Sequence, residues 1–524
     1  MKDKNDIIKF FLSKDILINR SIIDKLAEKD IDIDKFYETI KTKIKSDSFL
    51  ILDQYIEDFL ISNKSELNWK EYDKSVVLAE KGDKKLHDKF TDYIAKTEEN
   101  KILEKKESSV KIISSYDKES HKREVQDFVA FFNQRFNSFE KMLRNRQEMQ
   151  NPLSIKRIKQ KKEKDNLSLI GLVNEIATTK NGNLILTVED KTDTIKVLVN
   201  KNKPDLFNLA KDIVHDEVIG INGVNGDNIV FANNIIWPDI PTTKELKKAS
   251  DETYALFLSD LHVGSYHFLG ENLTKFIGWL KGDIGSETQK EISKKIKYIF
   301  IAGDLVDGCG IFPGQENELI IDNIYEQYKE CAKILGEIPK NINLIICPGN
   351  HDAIRMAEPQ PTLYKDISKP LWDLPNVHMV SNPSIINIHS SEDFSGFDVL
   401  MYHGYSFDHY VANVDGIRQN GGYDRPDLIM KFLLKRRHLA PTHTSTLYIP
   451  DVDRDPLVIE KVPDFFVTGH IHKSSISNYK NVTLVCGSCW QSKTPFQEKV
   501  GHHPEPCRVP IVNLQTREIK IMRF

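Results

Sequence analysis

Apolar positions fall into three rhythms along this chain, and each rhythm predicts a different kind of element. Over residues 1 to about 67 they recur every three or four positions: Ile7, Ile8, Phe11 and Leu12, then Ile22, Ile23 and Leu26, then Phe49, Leu52, Tyr55, Ile56 and Phe59. That spacing gives each segment one apolar face and predicts a small helical domain over 1–70. Across 71–165 apolar residues thin out and charge accumulates (EKGDKKLHDKF, KTEENKILEKKESS), which is the composition of a linker. One helix is expected inside it, at about 124–145, where Val125, Phe128, Val129, Phe132, Phe136, Phe139 and Leu143 share a stripe. That stripe suits packing on its own domain and docking on a partner equally well.

From 166 to 240 the pattern becomes one of short strands. SLIGLVNEI, LILTVED, TIKVLVN, EVIGINGVNG and NIVFANNIIWP are separated by turn-forming Asn, Asp and Gly. Five strands in so short a stretch predict an OB-like β-barrel. It carries no ladder of aromatic residues, so it reads as a structural module before a strand binder. From 250 to 524 strands and helical stretches alternate, and the whole is a multidomain α/β protein.

Composition narrows the possibilities. The 524 residues carry a net charge of -4, so the molecule as a whole is not a basic nucleic-acid binder, and any polyanion must meet a local patch. Two basic runs are candidates: IKRIKQKKEK at 155–164, whose plainer reading is a solvated linker, and Lys435, Arg436, Arg437 and His438, whose plainer reading is a solvated helix end. Six cysteines make no disulfide framework. Cys486 and Cys489 form a CxxC without the second pair that a zinc ribbon needs, which favours buried thiols. The opening MKDKNDIIKFF lacks a secretory pattern and no apolar run approaches the roughly 20 residues that span a bilayer, so the expected location is cytoplasmic.

The chemistry lies in the last unit. Five apolar runs there end on metal-competent residues: YALFLSDLH (Asp260, His262), YIFIAGDLVDG (Asp304, Asp307), LIICPGNHD (Asn350, His351, Asp352), VLMYHGYS (His403) and FFVTGHIH (His470, His472). Loops that leave the carboxyl ends of strands in α/β architectures gather on one edge, so these groups can converge. Glycines before Asp304, Asn350 and His470 and after His403 would let the backbone turn there. A single Asp-x-His or Gly-Asp is usually a surface pair or a turn. Five such endings in order make a metal site.

Together these residues resemble the calcineurin-like metallophosphoesterases, whose pattern is DxH, GDxxD, GNH, a lone His and GHxH. The resemblance implies a two-sheet sandwich flanked by helices and a two-metal site. Asp260, His262, Asp304 and His472 would surround one ion and Asp304, Asn350, His403 and His470 the other, with Asp304 shared. It implies His351 as the proton donor to the leaving oxygen and Asp307 as its orienting carboxylate. Asp352 is either part of this chemistry or a cap for the following turn. Carboxylate, amide and imidazole ligands suit Mn2+ first, with Mg2+, Fe2+ or Zn2+ as alternatives.

The domain order, with PGQE at 313–316, GNHDAIRMAEPQP, MYHGYSFD, LLKRRHLAPTH and WQSKTPFQ, resembles more narrowly the small subunits of archaeal family D DNA polymerases, relatives of the B subunits of eukaryotic replicative polymerases. That resemblance implies a 3′–5′ proofreading exonuclease at the nucleoid. Its partners would be a large catalytic polymerase subunit and single-stranded or mismatched DNA ends, with a sliding clamp as a further candidate. The competing readings are a non-catalytic scaffold subunit and a phosphatase acting on another substrate.

Overall fold

The structure is a computed structural model and describes residues 110–118, 122–162, 164–499 and 501–524, with eight positions among the first 37. The chain divides into two compact units, Met1–Glu107 and Ser108–Phe524. In the first, Ile7, Phe10, Phe11, Leu26, Ile33, Asp34, Phe36 and Tyr37 are all helical. Phe11 meets Phe10 and Phe36 edge-on, with ring centroids 5.4 and 6.3 Å apart, and Ile7, Leu26 and Ile33 are also buried. The other positions of that apolar pattern (Ile8, Leu12, Ile22, Ile23 and those from Phe49 to Phe59) and the charged stretch 71–109 lie outside the described residues.

The second unit begins inside the stretch expected to be linker. VKIISS forms β1 (Val110–Ser115), which pairs antiparallel with residues 384–388. Val110, Ile112 and Ile113 favour a strand, but the charged residues that precede them mask so short a run. Helix α1 (Val125–Arg144) follows, and its C-terminal half accounts for part of the stripe: Phe136, Phe139 and Leu143 pack on the barrel residues Ile170, Leu172 and Val218. Its N-terminal turns leave Val125, Phe128 and Val129 exposed. Between the two, Arg135 is buried, paired with Asp455 at 2.7 Å and donating to the Pro441 carbonyl, so the charge is compensated. The lysine run also differs from a linker. Helix α2 (Ile155–Gln160) inserts Ile155 and Ile158 into the barrel core, and Lys159 and Lys161 pair with Asp193 and Asp165.

Strands β2 (Asn166–Thr178), β3 (Leu184–Glu189), β4 (Thr194–Val199), β5 (Val218–Asn225) and β6 (Ile229–Ile236) close into a barrel in the order β2-β3-β4-β6-β5. Along β3 and β4 buried residues alternate with more exposed ones, as one face turns to the barrel interior. A short helix, Pro204–Ala210, sits between β4 and β5, where the strand pattern gave no sign of one.

The rest is a sandwich of two sheets. β7 (Tyr254–Leu258), β8 (Ile296–Ala302), β9 (Asn343–Cys347) and β10 (Val377–Met379) run parallel in the first. The second takes β11 (Ser384–Ile388), β12 (Phe397–Met401), β13 (Phe465–Thr468), β14 (Ser475–Tyr479) and β15 (Val482–Cys486), with β1 at its edge. β16 (Arg508–Asn513) and β17 (Ile519–Arg523) return antiparallel to the first sheet. Phe257 stacks on Phe300 at 5.3 Å and meets Phe465 of the facing sheet at 5.9 Å. Helices 270–281, 324–336 and 365–372 cover the outer face of the first sheet, and helices 407–413 and 426–436 cover that of the second.

Both faces of the central strands are therefore buried, which is why β7, β9, β12, β13 and β15 read as apolar runs rather than alternating ones. β7, β8 and β9 are parallel in one sheet and β12 and β13 in the other. Their carboxyl ends carry the five polar clusters.

Candidate metal centre

The backbone at these strand ends is unusual before any side chain is considered. Asp260, His262, Asp304, His470 and His472 all have left-handed φ values, from 52° to 68°. Each costs a non-glycine residue about 1–3 kcal/mol, and clusters of such strain mark sites where side-chain direction is held by the surrounding structure. The glycines divide into two uses. Gly303 and Gly404 do adopt positive φ, as turns require. Gly349 and Gly469 serve close approach instead: a Cβ on Gly349 would overlap Asp304 Oδ1, and one on Gly469 would lie 2.6 Å from Ser259 Cβ.

The side chains form two clusters that meet at one carboxylate. In the first, His262 Nε2 lies 3.2 Å from His472 Nε2, 4.0 Å from Asp260 Oδ1 and 3.9 Å from Asp304 Oδ2. His472 Nε2 is 3.4 Å from Asp260 Oδ1. In the second, Asn350 Oδ1 lies 2.9 Å from His403 Nε2 and 3.0 Å from His470 Nδ1, and His403 Nε2 is 3.3 Å from Asp304 Oδ2. Seven side chains thus gather into two groups that meet at Asp304.

The second nitrogen of each imidazole has a partner that fixes the ring. His403 Nδ1 is 2.7 Å from the Ala302 carbonyl, which can only accept, so Nδ1 carries a proton and Nε2 is the nitrogen left to meet a cation or a second proton. Nε2 faces two more acceptors, Asn350 Oδ1 and Asp304 Oδ2. His262 Nδ1 likewise meets the Asp307 carboxylate at 3.1 Å, and His470 Nε2 meets Asp408 at 2.9 Å. His472 differs: the Gln497 amide, whose oxygen accepts from the Thr494 N–H, donates to its Nδ1 at 2.9 Å. Three of the four imidazoles are thus fixed from behind by carboxylate or carbonyl, with acceptors converging in front, an arrangement that fits divalent cations.

The electrostatics agree. Burial opposes charge on His403, yet Asp304 and Asp260 outweigh it and lift this imidazole to about 10. Burial opposes charge on Asp304 too, and the facing His403, His351 and His262 hold it well below the usual carboxylate range. The centre attracts positive charge strongly enough to overcome desolvation.

Asp307 requires a correction. Its carboxylate does not reach His351; it orients His262 and accepts from Gln315 and Gln491, each at 3.0 Å. Its backbone carbonyl is what holds His351, 2.8 Å from Nδ1. His351 Nδ1 therefore carries a proton, and Nε2 is the nitrogen left for chemistry. The ring is half-buried on the wall of a cleft of about 300 Å³ that is also lined by Asp304, Phe312, Tyr423, Thr494 and His502. Burial lowers the affinity of His351 for a second proton. Asp352 proves to be a brace: it accepts from Gly349 N–H at 2.9 Å and from the Tyr328 hydroxyl at 3.1 Å, which fixes the turn that aims Asn350.

The second basic run does not form a binding patch. Arg436, Arg437 and His438 are buried, and Lys435 lies 3.9 Å from the Trp237 ring centroid. Arg436 pairs with Glu217 at 2.6 Å, Arg437 donates to the carbonyls of Ile459 and Glu460, and His438 meets Asp455 at 2.8 Å. Cations this deep are kept only with partners, so the run joins helix 426–436 to the barrel instead of reaching DNA. Cys486 and Cys489 are buried thiols, and burial raises both pKa values.

Residue type alone gave no role to Asp408, Gln315, Gln491 or Gln497, because glutamines and aspartates that orient a ligand look like any others. Each nevertheless lies in a stretch that carried the resemblance: MYHGYSFD, PGQE and WQSKTPFQ. Asp408→Ala should weaken manganese binding about 10- to 100-fold by freeing His470, as loss of such orienting partners does. Calorimetric titration of the purified chain measures this.

Residues 254–474, the two-sheet sandwich that carries these clusters, match the calcineurin-like phosphoesterase family and form a domain of that kind. The relatives that match over about three quarters of the chain are narrower in kind. The DNA polymerase II small subunit of Methanothermobacter thermautotrophicus is 39% identical over 390 residues, 74% of this chain and 78% of its own length. That of Archaeoglobus fulgidus is 38% identical over 417 residues, 79% and 81% of the two chains. That of Methanocaldococcus jannaschii is 41% identical over 392 residues, but the match spans 64% of its length. The chain belongs to the DNA polymerase II small-subunit family. Among the described residues no helix is long and apolar enough to cross a membrane.

Proposed function

We propose that this chain is the 3′–5′ exonuclease subunit of a replicative DNA polymerase, hydrolysing DNA phosphodiesters beside a large catalytic subunit. The observation that carries this reading is the complete pair of donor clusters sharing Asp304 Oδ2, every imidazole of which is oriented from behind. A subunit that served only as a scaffold would have no use for five ligands held in left-handed backbone.

Asp260, His262, Asp304 and His472 would hold one divalent cation, and Asp304, Asn350, His403 and His470 the other, with manganese the first candidate. Two such cations supply Lewis-acid polarisation of the phosphoryl group and lower the pKa of water. The protein's own contributions are distinct. Asp307 holds His262 through its carboxylate and His351 through its carbonyl, so one residue sets both a ligand and the proton donor. His351 can deliver a proton only from Nε2, on the cleft side, because Nδ1–H is taken. The cleft walls offer Phe312 and Tyr423, whose rings suit the base of a strand's terminal nucleotide.

The reading extends to proofreading. In a reconstituted two-subunit polymerase, the double substitution His470→Ala, His472→Ala should raise the error rate while leaving assembly with the large subunit intact. An unchanged error rate favours the scaffold reading.

A further inference from the structure

The run AIRMAEPQP, residues 353–361, follows the Asn350–His351 loop, and none of its side chains belongs to either donor cluster. Its Gln360 is buried (2% exposed) and faces Asn382, which is fully buried just ahead of β11. The two are joined by backbone hydrogen bonds in both directions, Gln360 N–H to the Asn382 carbonyl at 2.7 Å and Asn382 N–H to the Gln360 carbonyl at 2.9 Å. Their side chains form a third link, from Asn382 Nδ2 to Gln360 Oε1 at 2.7 Å.

What lies at the two ends gives this pair its meaning. Gln360 Nε2 donates to the Gly349 carbonyl at 3.2 Å and to the Arg355 carbonyl at 3.1 Å, on either side of Asn350 and His351. Asn382 Oδ1 accepts from the His403 backbone N–H at 2.9 Å. Backbone groups at both ends fix the orientation of both amides, since turning either one over would set NH2 against N–H or oxygen against oxygen. Glu358 closes the network, accepting from the Tyr402 hydroxyl at 3.1 Å and from Asn382 Nδ2 at 3.4 Å.

We infer that Gln360 and Asn382 are positioning residues: an amide clamp that ties the Asn350 loop of the first sheet to His403 of the second. Resting on the two-cation reading above, it sets the spacing of the second donor cluster while leaving Asp260, His262 and His472 untouched. Asn350 follows β9 and His403 follows β12, in different sheets, so the packing of the sheets alone does not fix their separation. The clamp spans it through buried amides, behind the direct approach of His403 Nε2 to Asn350 Oδ1.

The test is calorimetric titration of the full chain with Mn2+, comparing wild type with Gln360→Met and Asn382→Asp, with thermal melts alongside. Gln360→Met keeps volume and removes the amide. Asn382→Asp keeps the acceptor for His403 and removes the donor to Gln360. In the wild type two ions are expected. In each variant one ion should bind as before and the other about 10- to 100-fold more weakly, the usual consequence of losing an orienting partner. Two ions bound as in wild type, or both weakened alike, overturns the clamp while leaving the two-cation reading in place. A wild type that binds fewer than two ions overturns that reading, and the clamp with it. If a melt shows that one variant has not folded, the other decides.

Discussion

Asp304→Ala should reduce hydrolysis of a 3′-labelled single strand by at least about 10³-fold, the largest loss of any single substitution in this chain, since two-metal catalysis depends on both ions. Asp304 Oδ2 stands 3.9 Å from His262 Nε2 and 3.3 Å from His403 Nε2, so it is the carboxylate belonging to both clusters. Its other oxygen, Oδ1, accepts the His351 backbone N–H at 2.8 Å. Removal therefore takes away the shared ligand and loosens the loop bearing the proton donor. Metal titration separates the two effects: the variant should lose tight binding of both ions, whereas a variant that kept both would leave the role of Asp304 to its bond with His351.

His351→Asn comes second, with an expected loss of roughly 10²–10³-fold on DNA, within the range for removing a general acid. The signature lies in the leaving group. An alkoxide leaving group needs a proton, whereas p-nitrophenolate does not, so a p-nitrophenyl phosphodiester should lose far less. Equal losses on both substrates would instead make His351 a binding group. The sign of the pH effect comes from the geometry: Nδ1–H is held by the Asp307 carbonyl, so only the doubly protonated ring can donate from Nε2. Burial depresses that second protonation. Within the range where the cation ligands stay deprotonated, the wild-type advantage over His351→Asn on DNA should grow as pH falls and shrink as it rises.

Much of this site is legible in the sequence because each donor directly ends an apolar run. A buried strand is visible as a run of apolar residues, and a polar residue at its end has a defined place. That logic reaches Asp260, His262, Asp304, Asn350, His403, His470 and His472, and the barrel likewise from its punctuated strands. Beyond its reach are the groups that act through a second residue. The Asp307 carboxylate, expected on His351, belongs to His262, because the choice depends on which of its atoms faces which ring. Lys435 to His438 read as a surface patch because a basic run is usually solvated, and only the tertiary fold brings Glu217 and Asp455 to it. β1 is lost among charges for the reverse reason: its partner strand lies some 270 residues away, beyond any local pattern.

The most direct measurement is the fate of a 3′ label on single-stranded DNA incubated with the wild-type chain and manganese, alone and with the large subunit. Nucleoside monophosphates should be lost stepwise from the 3′ end. A strand left intact under both conditions would contradict it.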